Sequence, residues 1–158
     1  MEVKGKYEGD MKEGKKHGKG TYIWPNGNKY TGEWVENAIN GKGELIFSTG
    51  AKYNGNWKNN KFDGEGEFNW TNGDKYIGNW KNGKKQGHGV FYYSDGDIFD
   101  GEWNNDVKEG KGKLTYKNGT IFEGNWKGDK RDGEGIFKNA TMNVEYTEGI
   151  LTKIKVMK

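Results

Sequence analysis

Between Tyr30 and Val35 the chain alternates: Tyr30, Gly32 and Trp34 are rings or glycine, while Thr31, Glu33 and Val35 are mostly polar. The alternation resumes after a short interval, with Gly41, Gly43, Leu45 and Phe47 set against Lys42, Glu44 and Ile46. Successive residues of a strand point to opposite faces, so a period of two predicts two strands, each with one face of rings and glycine and one largely wet face. Between such pairs stand Pro25-Asn26-Gly27-Asn28, Thr71-Asn72-Gly73-Asp74 and Ser94-Asp95-Gly96-Asp97. These have hairpin-turn composition, with glycine where the backbone needs a positive φ. Turn glycines recur too often for a helix to start, and the pattern predicts an all-β chain of hairpins.

The pattern repeats every 23 residues. Tyr7, Tyr30, Tyr53, Tyr76, Phe99 and Phe122 form one column, and two places later stand Gly9, Gly32, Gly55, Gly78, Gly101 and Gly124. Two places later again come Trp34, Trp57, Trp80, Trp103 and Trp126, with Met11 breaking the column in the first row. Paired glycines follow in each row, as in Gly18 and Gly20 or Gly64 and Gly66, and a turn glycine closes five of the rows. A glycine on the ring-bearing face leaves a gap in which a ring from the adjacent strand can lie. A unit this short cannot bury an apolar face alone, so the copies must stack into a linear array whose product is an extended surface. Tight connections make consecutive strands neighbours, giving a single-layer antiparallel meander; with about two strands per row at ~4.8 Å, six rows extend roughly 55 to 60 Å. An open sheet twists, and this one is expected to curl so that its aromatic face becomes a long concave groove. The domain expectation is one array over 1–158, with repeats starting at 7, 30, 53, 76, 99 and 122. Residues 140–158, where Met142 replaces the turn glycine and Thr152 to Val156 alternate with lysines, are expected to form a C-terminal cap.

Composition narrows the functional classes. Half of the hydrophobic residues are aromatic, so apolar area sits in a few large rings, each burying about 150 to 250 Å². Disorder is not expected. Cysteine is absent, which removes disulfides and thiolate metal sites. The start MEVKGKYEGD has no apolar stretch suited to a signal peptide, and the expected location is cytoplasmic. The net charge of +3, from 26 basic and 23 acidic residues, is spread without a continuous basic stripe, so nucleic-acid binding is not expected.

Catalytic and metal chemistry find little purchase. His17 and His88 occupy different repeat positions three rows apart, a separation on the order of 29 Å in a meander. Ser48 and Ser94 lie in predicted turns, away from either histidine. The run from Gly9 to Lys16 approaches a phosphate-binding loop but lacks the following Ser or Thr and the helix. Asp95 to Asp100 approaches a calcium loop, yet Phe99 stands where an oxygen ligand is required. Sequons at Asn69, Asn118 and Asn139 are incidental without secretion. No catalytic residue, metal ligand or cofactor is assigned, and the chain reads as a non-enzyme.

Two sets of residues remain as candidates. The column tryptophans are expected to pack between rows. Tyr22, Trp24, Phe47, Trp70, Tyr93 and Tyr116 lie nearer the row-to-row turns, where no second layer covers them. An exposed apolar strip rimmed by polar groups marks an interaction site. Lys15 and Lys16 in the first row, with Lys84 and Lys85 in the fourth, form two locally basic central loops. These suit an acidic membrane surface, each charge contributing about 1 kcal/mol near anionic lipid.

Tyr-x-Gly-x-Trp, a loop, Gly-x-Gly and a closing turn glycine, repeated from Tyr7 to about Asn139, resemble the MORN repeat, the membrane occupation and recognition nexus family. The resemblance implies a single-layer twisted sheet of stacked hairpins. It implies a range of roles, because MORN arrays serve as phospholipid-binding modules, membrane tethers, enzyme appendages, and scaffolds in cilia, myosin complexes and parasite cytoskeletons. The functional expectation is a protein–protein interaction scaffold holding an extended or helical partner segment in the aromatic groove, in a cytoskeletal, ciliary or motor assembly. The alternative is a phosphoinositide or acidic-phospholipid binding module acting through the four lysines. Exposed first and last strands also permit an end-to-end homodimer.

Overall fold

The computed structural model describes residues 5–138 and 142–156; the sequon at Asn139 and the first two residues of the expected cap lie outside them. The chain forms two compact units that divide between Lys84 and Lys85. In the first, β1 (Lys6–Lys12), β2 (Lys15–Ile23), β3 (Lys29–Val35), β4 (Ala38–Ile46), β5 (Lys52–Lys58), β6 (Lys61–Asn69) and β7 (Lys75–Lys81) pair antiparallel, each with its neighbour in sequence. The second repeats the arrangement with β8 (Lys84–Tyr92), β9 (Ile98–Asn104), β10 (Val107–Thr115), β11 (Ile121–Lys127) and β12 (Lys130–Lys138). It ends in a further hairpin of β13 (Met142–Thr147) and β14 (Ile150–Val156). There is no helix among the described residues.

Each repeat is a seven-residue strand followed by a nine-residue strand. The central connection is only two residues long, and both take left-handed backbone: Glu36 and Asn37 at φ 46° and 71°, Asn59 and Asn60 at 48° and 65°. Such pairs define the type I′ turn, whose twist matches that of the flanking strands. The extra length of the second strand goes into a bulge. In the second repeat Gly32 pairs with Gly43, yet Trp34 pairs with Ile39 rather than Gly41. Gly41 turns through φ 89° there, and any side chain on it would strike Glu33. Glu33 closes the bulge by accepting a hydrogen bond from the backbone N–H of Lys42 at 2.9 Å.

The second glycine of each pair has a different task. Gly9, Gly20, Gly32, Gly43, Gly55, Gly66 and Gly78 pair with one another strand by strand, forming a bare trough across the first unit. A ring lies on that trough in every row. A Cβ at Gly66 would stand 2.6 Å from Tyr53 ring carbons, and one at Gly112 would stand 2.6 Å from Phe99. Tyr30, Tyr53, Tyr76, Phe99 and Phe122 are thereby fully buried without a second layer. The tryptophans stand edge-on beside them, as in Tyr30 with Trp34 at 5.2 Å and Trp57 at 5.3 Å between centroids. Each indole also spans two rows. Trp34, Trp57, Trp80, Trp103 and Trp126 donate Nε1–H to the carbonyls of Gly20, Gly43, Gly66, Gly89 and Gly112 at 3.0 to 3.3 Å. In the last hairpin Tyr146 takes the tryptophan's part, 5.8 Å from Phe122 and edge-on.

Candidate functional site

Trp24, Phe47, Trp70, Tyr93 and Tyr116 are one column, and each opens a row-to-row turn. Trp24 donates its backbone N–H to the Asn28 carbonyl and accepts from Gly27, both at 2.9 Å, and the other four repeat this arrangement. Tyr22 belongs to a different column, inside β2, and meets Trp24 edge-on at 4.9 Å. All six rings are half-buried. The turn fixes each backbone, and the strand residue two places before it supports the ring: Phe68 lies 4.4 Å from Trp70 and Phe91 lies 4.5 Å from Tyr93.

In each unit this strip borders an open cleft on the aromatic face. The first, of about 370 Å³, is walled by Tyr22, Trp24, Trp34, Ile39, Leu45 and Trp57, with Lys16, Asn37 and Asn60 as its polar members. The second, of about 450 Å³, uses residues three repeats later: Tyr93, Leu114 and Trp126, with Lys108, Asp129 and Arg131. The geometry is shared and the chemistry differs. Where the first cleft has Ile39 and Asn60, the second has Lys108 and Asp129.

The four candidate lysines divide. Lys15 and Lys84 are exposed, and Lys15 makes a 3.4 Å ion pair with Glu36. None of the four is in a loop, since β2 begins at Lys15 and β8 at Lys84, and Lys16 and Lys85 have their ammonium groups on the aromatic face. Lys16 Nζ lies 4.9 Å from the Tyr22 centroid and 5.3 Å from Trp34, and Lys85 Nζ lies 4.2 Å from Trp103. The central connection is a two-residue turn, so what reads as a loop is already strand.

A column that the sequence reading did not isolate runs through these positions: Lys16, Ile39, Phe62, Lys85, Lys108 and Arg131, each 23 residues apart. Phe62 stacks on Tyr53 at 3.7 Å. Lys108 Nζ lies 5.1 Å from Phe99 and 5.3 Å from Trp126, and the Arg131 guanidinium lies 4.6 Å from Phe122. Burial lowers the pKa of both Lys85 and Lys108, against the nearby carboxylates Asp106 and Asp129 that favour their charge. Burial likewise raises the hydroxyls of Tyr30 and Tyr53. The 23-residue spacing was the available signal for the column; its mixed chemistry concealed it.

A further cleft of the second unit, about 910 Å³, lies on the other, polar face and is lined by His88, Asp100, Glu102, Glu123 and Lys153 among others. His88 stands 3.2 Å from Asp100 and 3.7 Å from Glu102. These side chains are exposed, where ion pairs contribute little. Among the described residues no group of three or more His, Cys, Asp or Glu is placed to hold a metal ion. No described helix is long and apolar enough to cross a membrane.

The MORN repeat model matches six consecutive segments, 7–29, 30–52, 53–75, 76–98, 99–121 and 122–141. The chain belongs to the MORN repeat family. The six matched segments begin on the six residues of the ring column, five of them fully buried, so the family's unit coincides with the physical repeat. No curated protein sequence matches this MORN protein. Among solved structures it is similar to the TCP domain of Drosophila melanogaster SAS-4 (dCPAP) in complex with a proline-rich motif of Ana2 (dSTIL). The TM-score is 0.55 at 10% identity, over 89% of this chain and 84% of that one. It is also similar to the TCP10 domain of Danio rerio CPAP in complex with a peptide of STIL, with a TM-score of 0.53 at 13% identity, over 88% of this chain and 64% of that one. The same domain solved without a peptide gives 0.51 at 15% identity, over 88% of this chain and 68% of that one. At these identities the likeness is one of fold.

Proposed function

We propose that this MORN array is a non-enzymatic protein–protein interaction scaffold whose half-buried ring strips hold an extended or helical segment of a partner. The observation that carries the reading is the pairing of each strip with an open cleft on the same face. Rings held rigid by their turns and left partly uncovered suit binding anchors, because little entropy is lost when they are covered. The similarly folded TCP domains support it, since they are solved in complex with a proline-rich motif of Ana2 and with a peptide of STIL. The MORN family's scaffolds suggest a cytoskeletal, ciliary or motor assembly, and with it a cytoplasmic location.

Two variants test the reading. Trp70→Ala with Tyr93→Ala removes strip rings from both units, while Lys15→Glu with Lys84→Glu reverses exposed charges without touching the cations that rest on rings. The readouts are recovery of partners from native cells and co-sedimentation with anionic liposomes, each at ~50 and ~300 mM salt to bracket strong and weak screening. The ring variant is expected to lose its partners, since truncated aromatic anchors commonly cost about 2 kcal/mol or more. The lysine variant is expected to keep them. Salt-sensitive liposome binding lost only in the lysine variant, with no protein partner recovered, overturns the scaffold in favour of a lipid module.

A further inference from the structure

We infer that the aromatic face of the first unit binds a polyproline II segment with an apolar residue, proline above all, at every third position, running across the strands. This rests on the scaffold reading and specifies its ligand. The first observation is one of length. Trp24, Phe47 and Trp70 recur once per repeat, and two strands at 4.7 to 4.9 Å space the rows by roughly 9.4 to 9.8 Å. One turn of polyproline II is three residues at about 3.1 Å, or roughly 9.3 Å. Each turn of such a ligand therefore advances by one ring. A strand of period two or an α-helix of 5.4 Å pitch does not keep this register.

The second observation is the hydrogen-bonding character of the cleft. The Oδ1 atoms of Asn37 and Asn60 accept from the backbone N–H groups of Lys16 and Ile39 at 2.9 and 2.8 Å. With its oxygen held that way, each amide has its NH₂ group left over as a donor at the cleft. The indole N–H of Trp24 has no hydrogen-bond partner among the described residues, whereas those of Trp34 and Trp57 are bonded to Gly20 and Gly43. The Lys16 ammonium, a fourth donor group, rests on Tyr22 and Trp34. Apart from the Tyr22 hydroxyl, which can donate or accept, the polar groups that the cleft has free are thus donors. A proline-rich segment is the matching peptide, because it presents a carbonyl at every residue and lacks N–H at each proline. Asn37 and Asn60 are one repeat apart, so they too meet successive turns of the ligand.

The second unit supplies the control. Asp106 and Asp129 occupy the places of Asn37 and Asn60, and they accept the same backbone bonds, from Lys85 and Lys108 at 2.8 Å each. An Asp there caps the strand equally well but has no donor to offer. Asn37→Asp with Asn60→Asp should therefore fold as the parent does.

The test is an NMR titration of the full chain with two synthetic peptides of one composition, with proline at every third or at every fourth position. The first should shift the Trp24 indole N–H signal saturably and more than those of Trp34 and Trp57. It should bind about fivefold or more tightly than the second, the effect of one contact out of register at about 1 kcal/mol. The double Asn→Asp variant should keep its melting temperature and lose a similar factor in affinity. No binding, equal binding of the two peptides, or undiminished binding by the folded Asp variant overturns the inference. If the ring variant still loses its cellular partner while neither peptide binds, only the polyproline ligand falls; if it keeps that partner, the scaffold reading falls.

Discussion

At the scale of residues, this protein builds a core without a second layer by removing side chains rather than adding them. A ring can lie flat on its own sheet only where the strands beneath it lack Cβ atoms, and Gly66 is such a place under Tyr53. Gly66→Val is accordingly expected to cost about 1 to 3 kcal/mol or more by overpacking. Lys61→Ala, at an exposed position of the same strand, is expected to cost within about 0.5 kcal/mol. Chemical denaturation of the two variants measures the difference, and equal midpoints would remove the trough from the account. The cation column gives a pH-dependent case. Lys108 has a folded pKa below its ordinary 10.5, mainly through burial. Below the folded value the lysine is charged in both states, and the native state bears the desolvation cost. Between the folded value and 10.5 the unfolded chain binds a proton that the native chain does not, so stability rises with pH through that window. Ile39 fills the equivalent place in the second repeat and is buried. Lys108→Ile should melt higher than the parent near neutral pH, and its advantage should narrow as pH approaches 10.5. A gap that is constant or widens over that range would count against buried charge as the cause.

At the scale of elements, the type I′ turn decides where each strand ends and which side chains reach which face. It also carries avoidable strain. Glu13, Glu36 and Glu148 adopt left-handed backbone at positions where Asn59, Asn82 and Asn105 stand in other rows. Left-handed backbone costs a residue with a Cβ roughly 1 to 2 kcal/mol, less for Asn. Glu36 gains a 3.4 Å ion pair with Lys15 in return, but a pair this exposed contributes little. The turn term outweighs it. Glu36→Asn should stabilise by up to about 1 kcal/mol, read as a higher thermal midpoint, and a lower one would show that the surface pair matters more.

At the scale of the whole molecule, each hairpin binds its neighbours through the same ring, glycine and indole contacts, so a complete repeat is removable and half of one is not. Deleting 53–75 joins β4 to β7 with strand direction and register intact, since both neighbours present the same columns. Such a variant should fold, with an unchanged circular dichroism spectrum per residue and a modestly lower melting temperature. Deleting 52–60, which removes β5 and the turn after it, puts β6 beside β4 without the Tyr53 ring and the Trp57 indole, and should give a chain that does not fold cooperatively. A cooperatively folded half-deletion would contradict nearest-neighbour stacking.

The unit, its period, the hairpins and the core rings follow from the order of residues alone. Tyr30, Tyr53 and Trp57 carry that information in their neighbours, because alternation and glycine placement are local properties that a strand expresses wherever it lies. The candidate strip was legible too, as a column at the row-to-row turns. The sequence misled about Lys16 and Lys85, which read as basic loop residues and rest on rings. Two facts moved them. The two-residue turn makes Lys16 and Lys85 part of their strands, and in the first repeat the bulge facing Gly9 and Met11 shifts which side chains share a face. A bulge is a relation between two strands, and nothing in the spacing within one strand reports it. The same holds for the indole bonds from Trp34 to Gly20 and from Trp57 to Gly43, which cross between rows. It holds as well for the Asn37 and Asn60 amides, whose orientation is fixed by backbone N–H groups 21 residues away in sequence. Which donors are spent on the fold and which are left over is set by strand pairing, because it depends on partners brought close in space rather than in sequence.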